Sequence, residues 1–135
     1  MTRHRLAAAA LGLATLAALP ARADLTGDIP AALQQDWVLA EVDNQTVTYT
    51  ATFRLGADGR LAGQAPCNRY FGGVDGPLPD FRATGIGATR MACDRLSDEQ
   101  AYFTLLQDID RLTWSEAELH LSGGGHQLVF RPAAR

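Results

Sequence analysis

Two cysteines, Cys67 and Cys93, are the only ones in the chain, and each lies in a short patterned segment. The first is Cys67-Asn68-Arg69-Tyr70-Phe71-Gly72-Gly73 and the second is Thr89-Arg90-Met91-Ala92-Cys93. A bond between them would tie the middle of the chain into one loop and stabilise a small domain by roughly 3 to 4 kcal/mol on the chain-entropy model. Two free buried thiols and half of a metal site are the competing readings. The metal reading is the weaker, because structural zinc takes four ligands and neither cysteine has a Cys-x-x-Cys or histidine partner beside it.

The disulfide reading depends on compartment, and the N-terminus supplies one. Arg3, His4 and Arg5 precede an apolar run from Leu6 to Leu19, and Ala21-Arg22-Ala23 places small residues where signal peptidase cuts. Residues 1–23 therefore read as a cleaved export signal. The run is shorter than the roughly 20 residues a spanning helix needs, and no cysteine follows it to carry a lipid. Export to the periplasm or beyond, with no stable membrane anchor, is the expectation, and an exported domain with paired cysteines is where disulfides form.

Cleavage after Ala23 leaves 112 residues, enough for one compact domain. It also leaves 9 basic residues against 15 acidic ones, a net charge of about −6. Phosphate backbones demand a basic face, so this balance excludes nucleic acid as a natural partner.

Residues 24–35 read as a leader with one helical turn at most, and 36–132 as the domain. Trp37 to Val42 is a strand, followed by a turn at Asp43-Asn44-Gln45. Val47 to Leu55 alternates Ala51, Phe53 and Leu55 against polar residues, the period-two pattern of a strand with one wet face. Asp58-Gly59 marks a hairpin turn, and Arg60 to Ala65 runs back to deliver Cys67. Tyr70 to Asp75, Asp80 to Thr84 and Ile86 to Thr89 are three shorter strands, the first two separated by the proline-bearing Gly76-Pro77-Leu78-Pro79.

One helix is expected after the second cysteine. Ser97 reads as its N-cap in a Ser-x-x-Gln box with Gln100, with Asp98 and Glu99 at the positive end of the helix dipole. Tyr102, Leu105, Leu106, Ile109 and Leu112 form its apolar stripe. Leu112 to Ser115, Leu119 to Leu121 and Gln127 to Phe130 close the chain as a meander. Many short strands with one late helix predict an α+β fold: a curled, partly open antiparallel β-barrel with the helix packed against it.

Catalytic chemistry needs a nucleophile, a base and an orienting group, and no such set is legible. His120 and His126 read as exposed hairpin histidines rather than a base or metal pair. The paired carboxylates Asp98-Glu99, Asp108 with Asp110, and Glu116 with Glu118 read as solvated charges. No catalytic residue, metal ligand or cofactor is assigned. Asn68, Arg69 and Arg90 flank the cysteines and are the candidate binding residues, since two guanidinium forks could hold an anion or a partner's carboxylate. In the alternative reading Asn68 bonds the backbone after Cys67, and each arginine covers apolar surface beside an acid.

The order Trp37-Val38-Leu39, Asp58-Gly59-Arg60 with Gly63, Cys67 to Gly72, Thr89 to Cys93, Glu99 with Phe103 and Leu106, and Leu119-His120-Leu121 resembles the META domain, or HslJ-like, family. The likeness spans about residues 34 to 131. It implies a small, partly open barrel with a helix against it, an envelope or secreted location, links to heat shock or drug tolerance, and no established enzymatic activity. The expectation is thus a monomeric, non-enzymatic exported protein that binds another envelope protein or supports envelope stress tolerance. A carrier of an acyl chain beside Phe53, Tyr102, Leu105 and Ile109 is the second reading, and an inhibitor of a secreted hydrolase the third.

Overall fold

The computed structural model describes Ala10, residues 12–15, Ala17 and residues 29–134. Most of the expected signal peptide lies outside the described residues. Among the described residues no helix is long and apolar enough to cross a membrane.

Among the described residues a 3-10 turn at Ala31–Leu33 precedes nine strands and one helix. The strands are β1 (Trp37–Val42), β2 (Gln45–Thr46), β3 (Thr52–Leu55), β4 (Arg60–Gln64), β5 (Arg69–Asp75) and β6 (Arg82–Ala88), then β7 (Arg111–Trp114), β8 (Leu119–Gly123) and β9 (His126–Pro132). Helix α1 (Leu96–Asp108) lies between β6 and β7. The sheet runs β6-β5-β4-β3-β1-β9-β8-β7, with β2 paired to β1, and every pairing is antiparallel. This curled antiparallel half-barrel with a single helix is the α+β architecture read from the sequence.

The two edge strands meet at one end. Asp80, just ahead of β6, bridges Arg111 of β7. The Phe81 N–H donates to Asp110 O at 3.0 Å and the Leu112 N–H to Pro79 O at 2.8 Å. Elsewhere α1 lies against β6, and its Tyr102 and Leu106 join the core. An open sheet edge would leave backbone donors and acceptors unpaired, and this closure satisfies part of it.

The interior is filled by aromatic rings. Phe53 packs between Phe81 and Phe130, with centroids 5.9 and 5.6 Å away, and Tyr70 meets Tyr102 edge-on at 5.7 Å. All five are buried, as is Trp37, whose indole N–H donates to Leu33 O of the 3-10 turn. Ile29 and Leu33, within the expected leader, join this core.

Several local expectations are corrected. Asp80–Thr84 and Ile86–Thr89 are not two strands; one strand, β6, runs through both. It does so by a bulge opposite Phe71 and Gly73, with Gly85 in the left-handed region at φ 56°. Val47–Ala51 is irregular, so the strand expected from Val47 to Leu55 is β3 and starts at Thr52, although Ala51 still enters the core. Ser97 is not the N-cap. Arg95 holds that position with no side-chain cap, and Ser97 already lies within the first turn. Two short-range contacts accompany the earlier start: the Arg95 N–H meets Cys93 Sγ, and its guanidinium pairs with Asp98. The stripe ends with Leu106 inside the helix, because the chain is already extended at Ile109, and Leu112 belongs to β7.

Buried phenols give the fold a high-pH signature. The Tyr70 hydroxyl donates its only hydrogen to Thr52 O at 2.6 Å, so the hydroxyl of Tyr102, 2.8 Å away, donates to Tyr70. Gly63 permits this, since a Cβ there would collide with Thr52 O and the Tyr70 ring. Burial raises the pKa of both tyrosines. A phenol titrates near 10 when unfolded, so their contribution is full below about pH 10 and is lost as pH rises toward the higher folded values. Each adds a slope of up to about 1.4 kcal/mol per pH unit. The chain has no lysine to obscure this. Urea midpoints measured from pH 9 to 11.5 (roughly the phenol range) should fall steadily, and Tyr102→Phe should flatten that fall.

Candidate functional site

Cys67 and Cys93 are joined as a disulfide, with Cα atoms 5.8 Å apart. Cys67 follows β4, whose alternation buries Leu61 and turns Ala62 and Gln64 outward. Cys93 lies in the irregular segment between β6 and α1. The bond therefore links the β4–β5 connection to the entry of the helix.

Beneath the bond sits a buried polar cluster. Asn68 is 3% exposed and Glu99, from the first turn of α1, is 5% exposed. Glu99 Oε1 accepts the backbone N–H groups of Cys67 at 3.0 Å and Asn68 at 2.7 Å, and Oε2 accepts Asn68 Nδ2 at 2.7 Å. The other Nδ2 hydrogen goes to Met91 O at 3.1 Å. Asn68 Oδ1 accepts the Met91 N–H at 2.6 Å and the Thr89 hydroxyl at 3.0 Å. Both donors and both acceptor positions of the Asn68 amide are thus occupied within the fold. One carboxylate and one amide hold together the two cysteine-bearing segments and the helix. The expectation that Asp98 and Glu99 are both solvated charges is corrected for Glu99, which points inward.

The other two candidates are exposed. Arg69 pairs with the chain beside Arg90: the Thr89 N–H donates to Arg69 O at 3.0 Å and the Arg69 N–H to Thr89 Oγ1 at 3.2 Å. Neither guanidinium takes part in an ion pair among the described residues.

Arg69 lines a groove of about 590 Å³ on the outer face of the sheet, with Arg54, Ala62, Gly63, Phe71 and Thr89. Cross-strand register sets this surface. Arg54 stands opposite Ala62, Ala62 opposite Phe71, and Phe71 opposite Gly87. Phe71 is 51% exposed, and a Cβ at Gly87 would meet its ring. Sequence reasoning missed Phe71 as a surface residue, although its alternation with the buried Tyr70 carried that signal.

The described histidines are occupied elsewhere. His126 Nδ1 lies 2.7 Å from Asp43 Oδ2, and His120 Nε2 lies 2.8 Å from Glu118 Oε2. The Asp43 carboxyl is held below its ordinary pKa by the His126 hydrogen bond and by the Gln127 N–H. Asp43 and Asn44 form a turn with φ of 50° and 65°, which aims that carboxylate at the β8–β9 hairpin. No group of three His, Cys, Asp or Glu among the described residues is placed to hold a metal ion.

The META domain family model matches residues 31–135. The chain belongs to the META domain family. Its fold is shared by solved structures of low identity. An NMR structure of a protein from Burkholderia xenovorans aligns with a TM-score of 0.63 at 23% identity, covering 100% of both chains. A crystal structure of a DUF4847-family protein from Bacteroides vulgatus aligns with a TM-score of 0.62 at 11% identity, covering 78% of this chain and 96% of that one. A further NMR structure gives 0.59 at 19% identity, covering 74% and 90%. No curated protein matches significantly. At these identities the likeness speaks for the fold of this META domain, and its chemistry must be argued from its own residues.

Proposed function

We propose that this META-domain protein is a non-enzymatic, exported protein that binds another envelope protein through the groove around Phe71. The observation that carries the reading is a half-exposed aromatic ring on a strip of small residues, with Arg54 and Arg69 at its rim. Exposed aromatics and arginines are the residue types that concentrate binding energy at protein interfaces. On a chain of formal net charge −3, this rim is locally basic, with Asp36 as the acid among its lining residues. It suits a partner segment that carries a carboxylate beside an apolar side chain.

The disulfide fits an oxidising compartment, which supports the periplasmic or secreted location read from the N-terminus. Non-enzymatic character is what the family resemblance implies, and the side-chain partners of His120 and His126 among the described residues are Glu118, Gln127 and Asp43, none of them a nucleophile. The same surface would serve the envelope-stress role that the family resemblance implies. The acyl-carrier reading is less favoured because, of its expected cavity walls, Phe53, Tyr102 and Ile109 are fully buried within the packed core and Leu105 is partly buried against it.

A periplasmic pull-down tests the proposal. Wild type and a Glu116→Ala control in the β7–β8 turn, outside the groove, should retain the same partner, and Phe71→Ala with Arg69→Ala should lose it. Identical partner lists for all three would count against the groove.

A further inference from the structure

A second cleft, of about 520 Å³, opens where the two edge strands meet, far along β5 from Arg69. Its walls carry five charged side chains: Asp75, Asp80, Arg82, Asp110 and Arg111. Two opposite-charge pairs stand in register, Asp75 with Arg82 across β5–β6 and Asp80 with Arg111 across the closing bridge. Cross-strand neighbours of opposite sign ordinarily attract. Here neither pair comes within ion-pair distance, and none of the five side chains makes a hydrogen bond or ion pair among the described residues. Arg54, Arg95 and Arg131, by contrast, each find a carboxylate. The charges ring the cleft instead of crossing it.

The frame around them is fixed. The hydrogen bonds from Phe81 to Asp110 and from Leu112 to Pro79 lock the two walls together, and Phe81 is buried at 1% exposure. A volume of this size is that of a small-molecule site. The five side chains are exposed around this fixed backbone frame and present both signs to a ligand. Among the described residues these aspartates are not placed to hold a metal ion.

We propose that this cleft binds an amphoteric ligand of the basic amino-acid class, its carboxylate held by Arg82 and Arg111 and its ammonium groups by Asp75, Asp80 and Asp110. Three acids against two arginines favour a ligand with one extra positive charge. Free basic amino acids and the C-terminal lysine of a peptide share this chemistry.

The test is an amide chemical-shift titration of the folded protein with L-lysine, a short peptide ending in lysine, lysinamide, acetate and butylamine. L-lysine or the peptide should give saturable shifts at residues 75–82 and 110–111, with Kd on the order of 1 mM. The tighter of the two identifies the source. Lysinamide, acetate and butylamine should bind at least about tenfold more weakly, a loss of about 1.4 kcal/mol. Arg82→Gln with Arg111→Gln, confirmed folded by an unchanged spectrum elsewhere, should abolish the shifts. Equal shifts with the probes of one charge sign, no saturable shift with either lysine ligand, or full binding by the folded variant would each overturn the proposal.

Discussion

Glu99→Ala is expected to destabilise the fold by about 4 kcal/mol, a large part of the roughly 5 to 15 kcal/mol that a domain of this size possesses. The substitution deprives three donors at once: the N–H groups of Cys67 and Asn68 and the side-chain amide of Asn68. A buried donor left without a partner costs about 1 to 3 kcal/mol, and more when its partner was charged. Asn68 is 3% exposed, so its two donors lose a buried partner, while the Cys67 N–H is part-buried. Urea denaturation of wild type and variant checks this. Ser97→Ala is the informative companion, because Ser97 caps nothing and should change stability by less than about 0.5 kcal/mol. A capping role would instead cost about 1 kcal/mol.

Opening the Cys67–Cys93 bond is the second large effect. A loop of 26 residues gives about 3.5 kcal/mol on the chain-entropy model. Reduction, or Cys67→Ser with Cys93→Ser, should lower the urea midpoint accordingly. The loss should be greater in a Glu99→Ala background than the separate values suggest, because bond and carboxylate hold the same two segments. Near-zero change on reduction would mean that the buried cluster alone fixes the connection.

The sheet was legible in the sequence for a simple reason: strands with one wet face alternate, and Trp37, Phe53, Leu55, Leu61 and Tyr70 all turned inward as their spacing required. Asp58-Gly59 marked its hairpin because the turn needs positive φ, and Gly59 has φ 74°. Features set by distant contacts were not legible. The closure of Asp80 on Arg111 joins residues far apart in sequence beside prolines, which a local reading takes as the end of pairing. The bulge that lets β6 continue through Gly85 looks, in sequence, like a break.

Glu99 is the most instructive case. It stands three residues before Tyr102 and seven before Leu106, on the buried stripe of α1, yet its charge at a helix start suggested a dipole role. The spacing was the better guide. Of the candidate site, the cysteines and Asn68 proved to share one cluster with Glu99, while Arg69 belongs to the neighbouring outer groove. The cysteine-bearing motifs thus combine an inward half that builds the fold and an outward half that offers a surface. Substitution of Phe71 or Arg69 should accordingly affect binding with little effect on stability.

Asn68 and Glu99 act as one architectural unit, and a double-mutant cycle in urea tests this. With Asn68→Ala, Glu99→Ala and the double variant, a coupling energy of about 2 kcal/mol is expected. Losses that add to within about 0.5 kcal/mol would contradict it.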